Sequence, residues 1–168
     1  MNTESNSAVK NILLVEDDPR DIELTLAALA EHHLANHVVV LHDGAEALDY
    51  LKRQGRFQDR TEEYPVVVVL DLKMPKVSGL EVLATIKADE HLKTIPIVVL
   101  TSSREEPDLA KCYQLGVNAY VVKPVDFAEF MDAVKGLGLF WAAINEPPPR
   151  LMPKPPEGAG LAGKKEVE

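Results

Sequence analysis

Glu16 and Asp17 stand side by side in this chain, and adjacent carboxylates repel one another unless a cation sits between them. Hard divalent cations take such oxygen ligands, and magnesium typically uses one or two carboxylates together with waters and a phosphate. Asp71 directly follows the apolar run Val66–Leu70. That is an odd place for a merely structural cap, and a carboxylate there is a plausible nucleophile, able to take a phosphoryl group as an acyl phosphate. Lys123 would balance charge in a site of three acids and clamp phosphate oxygens, and the Thr101 hydroxyl could bond one of them. Plainer roles stay open for each. Asp18 before Pro19 reads as a helix N-cap, Glu16 and Asp17 as turn carboxylates, Thr101 as a cap, and Lys123 as a solvated loop residue.

These residues share one property: each follows a short apolar run. The runs are Ile12–Val15, Val38–Leu41, Val66–Leu70, Ile97–Leu100 and Tyr120–Val122. Consecutive β-branched and apolar positions are what strands buried on both faces require. Between them lie stretches with helical spacing, Asp21–Glu31, Gly44–Arg53, Leu80–Lys87, Pro107–Leu115 and Asp126–Ile144. Five strands alternating with five helices predict an α/β fold, a doubly wound parallel sheet with right-handed crossovers. Such sheets bind ligands beyond the carboxyl ends of their strands, where strand order reverses. Strands one, three, four and five end in Glu16-Asp17-Asp18, Asp71, Thr101-Ser102 and Lys123-Pro124. Strand two ends in His42-Asp43-Gly44, a turn and helix cap.

Composition narrows the function classes. The chain has 168 residues, 46% of them hydrophobic, and a net charge of −9. That balance argues against nucleic acid as a partner, which needs a basic patch. The longest apolar run is too short to cross a bilayer, the first ten residues show no secretory h-region, and the single Cys112 excludes an internal disulfide. Residues 146–168 hold six of the twelve prolines and three of the nine glycines. The expected organisation is therefore a disordered segment 1–9, a domain over 10–145 with an extended last helix, and a Pro/Gly-rich tail over 146–168.

The segments ILLVEDDP, VVLDLKMPKVSG, VVLTSS and AYVVKP resemble the motifs of receiver domains of two-component response regulators, over about Lys10 to Gly136. The resemblance implies a flavodoxin-like receiver fold with strand order 2-1-3-4-5. It also implies a switch in which Asp71 accepts phosphate from a phosphohistidine on a partner kinase. By the same resemblance Asp17 and Asp71 bind Mg2+ directly, Glu16 acts mostly through water, and Lys73 contributes its backbone carbonyl. Thr101 closes on the phosphoryl group, Lys123 clamps it, and Tyr120 swings between outward and inward positions. Taken alone, Tyr120 reads as an ordinary half-buried strand aromatic.

Two features depart from a plain receiver: the long polar connection Gln54–Tyr64, and a last helix that continues past Gly136. Both resemble the stand-alone response regulators paired with phytochrome histidine kinases, which implies a cytoplasmic switch with output through protein contacts. Leu137, Leu139, Phe140, Trp141 and Ile144 form an apolar segment beyond what a receiver needs. It is expected to join a homodimer through helix four, strand five and helix five, with Phe140 and Trp141 in the contact; the alternative is that it folds back on its own domain. An aspartate-nucleophile phosphohydrolase of the haloacid dehalogenase class is disfavoured, because Lys73 stands where its general acid would be. A flavodoxin-type FMN carrier is disfavoured by the acids after strand one, and a transcription regulator by the lack of an effector domain. Neither a nucleic-acid nor a membrane partner is expected.

Overall fold

The computed structural model describes residues 10–149. The segments expected at 1–9 and, beyond Pro149, in the tail to 168 lie outside the described residues. Five strands, β1 (Ile12–Val15), β2 (Val38–Leu41), β3 (Val67–Leu70), β4 (Ile97–Thr101) and β5 (Ala119–Val122), pair in parallel in the order β2-β1-β3-β4-β5. This is the order that the receiver resemblance implies. In register, Leu14 faces Val40 on one side and Val69 on the other, and Val99 faces Tyr120. The helices are α1 (Pro19–Ala30), α2 (Gly44–Lys52), α3 (Gly79–Ala88), α4 (Glu106–Gln114) and α5 (Phe127–Gly138).

Side chains alternate across the sheet, so each strand feeds two cores. Leu13, Val15, Val68, Leu70 and Val99 pack with Leu51, Leu83, Ile86 and Cys112 of α2, α3 and α4. Ile12, Leu14, Val67, Val69 and Val98 pack with Leu29, Phe130 and Val134 of α1 and α5. The central strands β1, β3 and β4 are buried throughout. The edge strands differ from the expectation of two buried faces: β2 is buried only at Leu41, and β5 is half-buried along its length.

Caps fix where the helices begin. Asp18 accepts from the backbone of Arg20 and Asp21 ahead of Pro19, and Asp43 accepts from Glu46. Ser78 and Glu81 form a reciprocal capping box on α3, and Asp126 caps α5. The α4 N-cap, Glu105, has no side-chain cap bond.

The two departures from a plain receiver meet at the amino-terminal edge of the sheet. Gln54–Tyr64 contains a short 3-10 turn, Gly55–Phe57, and arginines organise the rest. Arg60 stacks over Tyr50 at 3.9 Å and donates to its carbonyl, while Arg53 donates to the carbonyls of Arg60 and Glu62. The last helix is α-helical only to Gly138 and then widens into a π-helical segment, Leu139–Ile144. A Cβ on Gly138 would sit 2.3 Å from Leu29 Cδ2; here α5 packs closely on the side chains of α1. Beyond the π turn, Pro147–Pro149 share a small cleft with Tyr64, Pro65, His91 and Pro96. No helix among the described residues is long and apolar enough to cross a membrane.

Candidate functional site

The strand order reverses between β1 and β3, and the chain places its acids beyond the carboxyl ends of those two strands. Glu16 follows β1 and is held there by its backbone N–H, which donates to the Leu41 carbonyl of β2. Asp71 follows β3 and donates its backbone N–H to Val15. The strand ladders thus carry both carboxylates to one point. Glu16 and Asp71 are buried, Asp71 8% exposed, while Asp17 faces solvent. One oxygen from each of Glu16, Asp17 and Asp71 lies within 4.8 Å of the others. This arrangement of hard oxygen donors suits a divalent cation.

Lys123 enters the same pocket from the end of β5. Its backbone N–H donates to the Thr101 carbonyl at 2.7 Å, which ties the ends of β4 and β5 together. Its ammonium, on a side chain 9% exposed, donates to Glu16 Oε2 at 2.7 Å and Asp21 Oδ2 at 2.8 Å, and lies 3.4 Å from Asp71 Oδ2. Burial works against the lysine charge, but the hydrogen bonds it donates to Asp21 and Glu16 outweigh it, and Lys123 is held above its ordinary range. Burial pushes the Glu16 carboxyl up to about 7, against the pull of the Lys123 hydrogen bond, and the charge on Asp71 adds to the rise. Asp71 Oδ1 accepts from the Leu72 backbone N–H at 2.8 Å, so the carboxylate is aimed as well as buried.

The loop behind Asp71 is packed against the start of α3. Gly79 donates to the Leu72 carbonyl at 2.9 Å, and a Cβ at Gly79 would fall 2.1 Å from the Asp71 carbonyl oxygen. Lys73 follows in that loop with an exposed side chain.

A second group of residues runs from the pocket toward α4. Thr101, fully buried at the end of β4, accepts at its hydroxyl from the backbone N–H of Ser103 at 3.3 Å. The Ser103 carbonyl accepts from the Tyr120 hydroxyl at 3.0 Å, and its own hydroxyl donates to Asp108 of α4 at 2.6 Å. Thr101 is thus not a helix cap; the Ser103 hydroxyl accepts from the Glu105 backbone N–H in the loop ahead of α4. Burial raises the Tyr120 phenol above its usual value.

The sequence reading did not single out Asp21 or Ser103. Asp21 had a signal, a further acid one helical turn after Asp17, but nothing in the sequence separates it from an ordinary first-turn helix residue. Phe140 and Trp141 lie far from this pocket. Trp141 packs against the α1/α5 core and meets Phe140 edge to face at 5.1 Å, whereas Phe140, Leu139 and Ile144 are exposed.

Residues 12–135 match the family model of the response regulator receiver domain. The chain is 39% identical over 141 residues to the response regulator Rcp1 of Synechocystis sp., covering 84% of this chain and 94% of that one. The structure of the phosphorylated cyanobacterial phytochrome response regulator RcpA superposes with a TM-score of 0.78 at 41% identity, over 84% and 99% of the two chains. The Mn2+-bound form of Rcp1 gives 0.77 at 37%, over 83% and 99%. The bacteriophytochrome response regulator RtBRR gives 0.67 at 60% identity, over 84% and 85%.

Proposed function

This chain belongs to the response regulator receiver domain family, and from that premise we propose that it is the phosphorylation-operated switch of a phytochrome-type histidine kinase, with Asp71 as the phosphoacceptor. The observation that carries the assignment is the buried, aimed Asp71 carboxylate facing Lys123 beside two further acids at the point where strand order reverses. A carboxylate oxygen of Asp71 attacks the phosphorus of a phosphohistidine; the P–N bond breaks, the imidazole leaves, and an acyl phosphate forms. Hydrolysis of that anhydride by water returns the carboxylate and inorganic phosphate. The chain catalyses no other reaction, and it works in the cytoplasm, where the kinase presents its phosphohistidine.

Asp17 and Asp71 would hold Mg2+ directly, with Glu16 acting mostly through water and the Lys73 main-chain carbonyl as a further ligand. The bound ion supplies positive charge against the transferring phosphoryl group. The protein supplies the rest: Lys123 offers ammonium protons to the phosphoryl oxygens, and the Thr101 hydroxyl is drawn toward them. Movement at Thr101 pulls on Ser103, which holds both the Tyr120 hydroxyl and α4. The switch then shifts a population of α4 and Tyr120 positions and leaves the fold intact.

The metal assignment is tested by comparing two neighbouring acids. Asp17→Asn should weaken Mg2+ binding, read by calorimetry, by about tenfold. Asp18→Asn should leave it unchanged and cost at most about 0.5 kcal/mol, because asparagine also caps helices. Equal losses in the two variants would contradict the ligand set.

Output is through protein contact, and the chain pairs with a second copy of itself. Leu109 and Tyr113 on α4, with Val125 just ahead of α5 and Phe127 at its start, expose apolar surface, and Phe140 exposes more at the end of the last helix. Trp141, packed on its own core, supports Phe140 from beneath. Sedimentation at tens of micromolar should show a dimer for the wild type and a folded monomer for Phe140→Ala combined with Tyr113→Ala. A monomeric wild type, phosphorylated or not, would remove this part of the reading.

A further inference from the structure

Lys123 has one partner that neither the metal-ligand set nor the phosphoacceptor accounts for. Asp21 lies on the first turn of α1, where its backbone N–H donates to the capping Asp18 carboxylate at 3.2 Å. It is outside the carboxylate cluster of Glu16, Asp17 and Asp71. Even so, its Oδ2 sits 2.8 Å from the Lys123 ammonium, while the nearer oxygen of Asp71 is 3.4 Å away. An ammonium has three protons. Two are taken at charge-assisted distances by Glu16 and Asp21, and the third reaches toward Asp71 over a long gap. The lysine that should serve the phosphoryl group is therefore drawn to the α1 side of the pocket.

On the reading of Asp71 and Lys123 given above, we infer that Asp21 is a positioning residue that parks the Lys123 ammonium against α1 and so sets how readily it turns to the phosphoryl oxygens. The geometry leaves Asp21 free for this role. Its own backbone is fixed by the cap and by Pro19, and its side chain, 28% exposed, makes no other ion pair among the described residues. When a phosphoryl group arrives on Asp71, the ammonium must release part of its hold on α1 to meet it. Asp21 competes for that proton, and removing its charge lowers what the phosphoryl group has to displace.

The test uses the full chain and beryllofluoride with Mg2+, an analogue of the phosphoryl group on a carboxylate, followed by 19F NMR. Asp21→Asn should bind beryllofluoride roughly fivefold tighter than wild type, and phosphate introduced from acetyl phosphate should persist correspondingly longer. Loss of any negative charge near an anion could tighten binding, so the same substitution is repeated in a Lys123→Met background. There the gain should vanish; an equal gain would show that charge alone acts and would overturn the proposal, as would unchanged or weaker binding in the single variant. The Lys123 side-chain 15N resonance gives a reading that needs no second substitution. It should move in Asp21→Asn before ligand is added, and an unmoved resonance would overturn the parked position. A wild type that binds no beryllofluoride at all would defeat the phosphoacceptor reading itself, and the role of Asp21 with it.

Discussion

Asp71→Asn should take up no phosphate, either from a phosphorylated kinase or from acetyl phosphate with Mg2+, a loss of at least about a thousandfold. The amide is a poor nucleophile, and no neighbouring carboxylate can replace it. Glu16 is committed to Lys123 and to the backbone of Asp18, and Asp17 faces solvent. The variant should nonetheless fold. Asparagine keeps the Oδ1 that accepts from Leu72, and the substitution removes one of the three carboxylates that share a single ammonium. Its melting temperature should equal or exceed that of the wild type. Phosphate-affinity gel electrophoresis and a thermal melt on the same preparation check both halves, and labelling at the wild-type level would end the assignment.

Gly79→Ala should destabilise the domain by about 3 kcal/mol or more and slow phosphorylation as well. By helix propensity alone the change would be favourable, since alanine exceeds glycine by up to about 1 kcal/mol in a helix. The sign of the measured effect is therefore informative. At this position the new methyl would lie 2.1 Å from the Asp71 carbonyl oxygen and 2.6 Å from the Leu72 Cα. Both are backbone atoms and cannot rotate away. Either α3 moves off the sheet, with loss of packing at Val82, Leu83 and Ile86, or the loop that aims Asp71 is displaced. Urea unfolding with acetyl phosphate labelling reads both; an unchanged midpoint would mean that the loop is far softer than its packing indicates.

The central strands and the chemistry at their ends were legible because both signals are local. Val-Val-Val-Val-Leu followed by Asp71 states a buried strand and a misplaced charge within six residues. The half-exposure of β2 is not written in its own residues: Val38-Val39-Val40-Leu41 is just as apolar, and only the strand order implied by the family resemblance, which puts β2 at the edge, points to it. Asp21 escaped for the same kind of reason. Its partner lies 102 positions downstream, and nothing near Asp21 distinguishes it from a helix-start acid. Ser103 escaped because Ser102 and Ser103 are chemically identical in sequence, while only Ser103 is buried between Thr101, Tyr120 and Asp108. At the far end of the chain Gly138, by propensity alone, only weakens a helix. The structure gives it a purpose, contact with Leu29, that no local pattern encodes.

The loose seating of α4 sets a ceiling on what this switch can do. Cys112 is its one buried residue, its first turn has no side-chain cap, Tyr113 is more than half exposed and Leu109 is partly so. Such an element opens at a fraction of the free energy needed to unfold the domain. A phosphoryl group that adds one or two charge-assisted hydrogen bonds, worth about 1.5–3 kcal/mol each, can therefore move it. But a ligand can shift an equilibrium only by its differential affinity for the two states, and a signal can pass on no more than it receives. If α4 rests about 2 kcal/mol on one side, phosphorylation can change the affinity for a downstream protein by about thirtyfold and no further. A pathway built on this domain has to obtain sharper discrimination from pairing two copies, or from the concentration of its target.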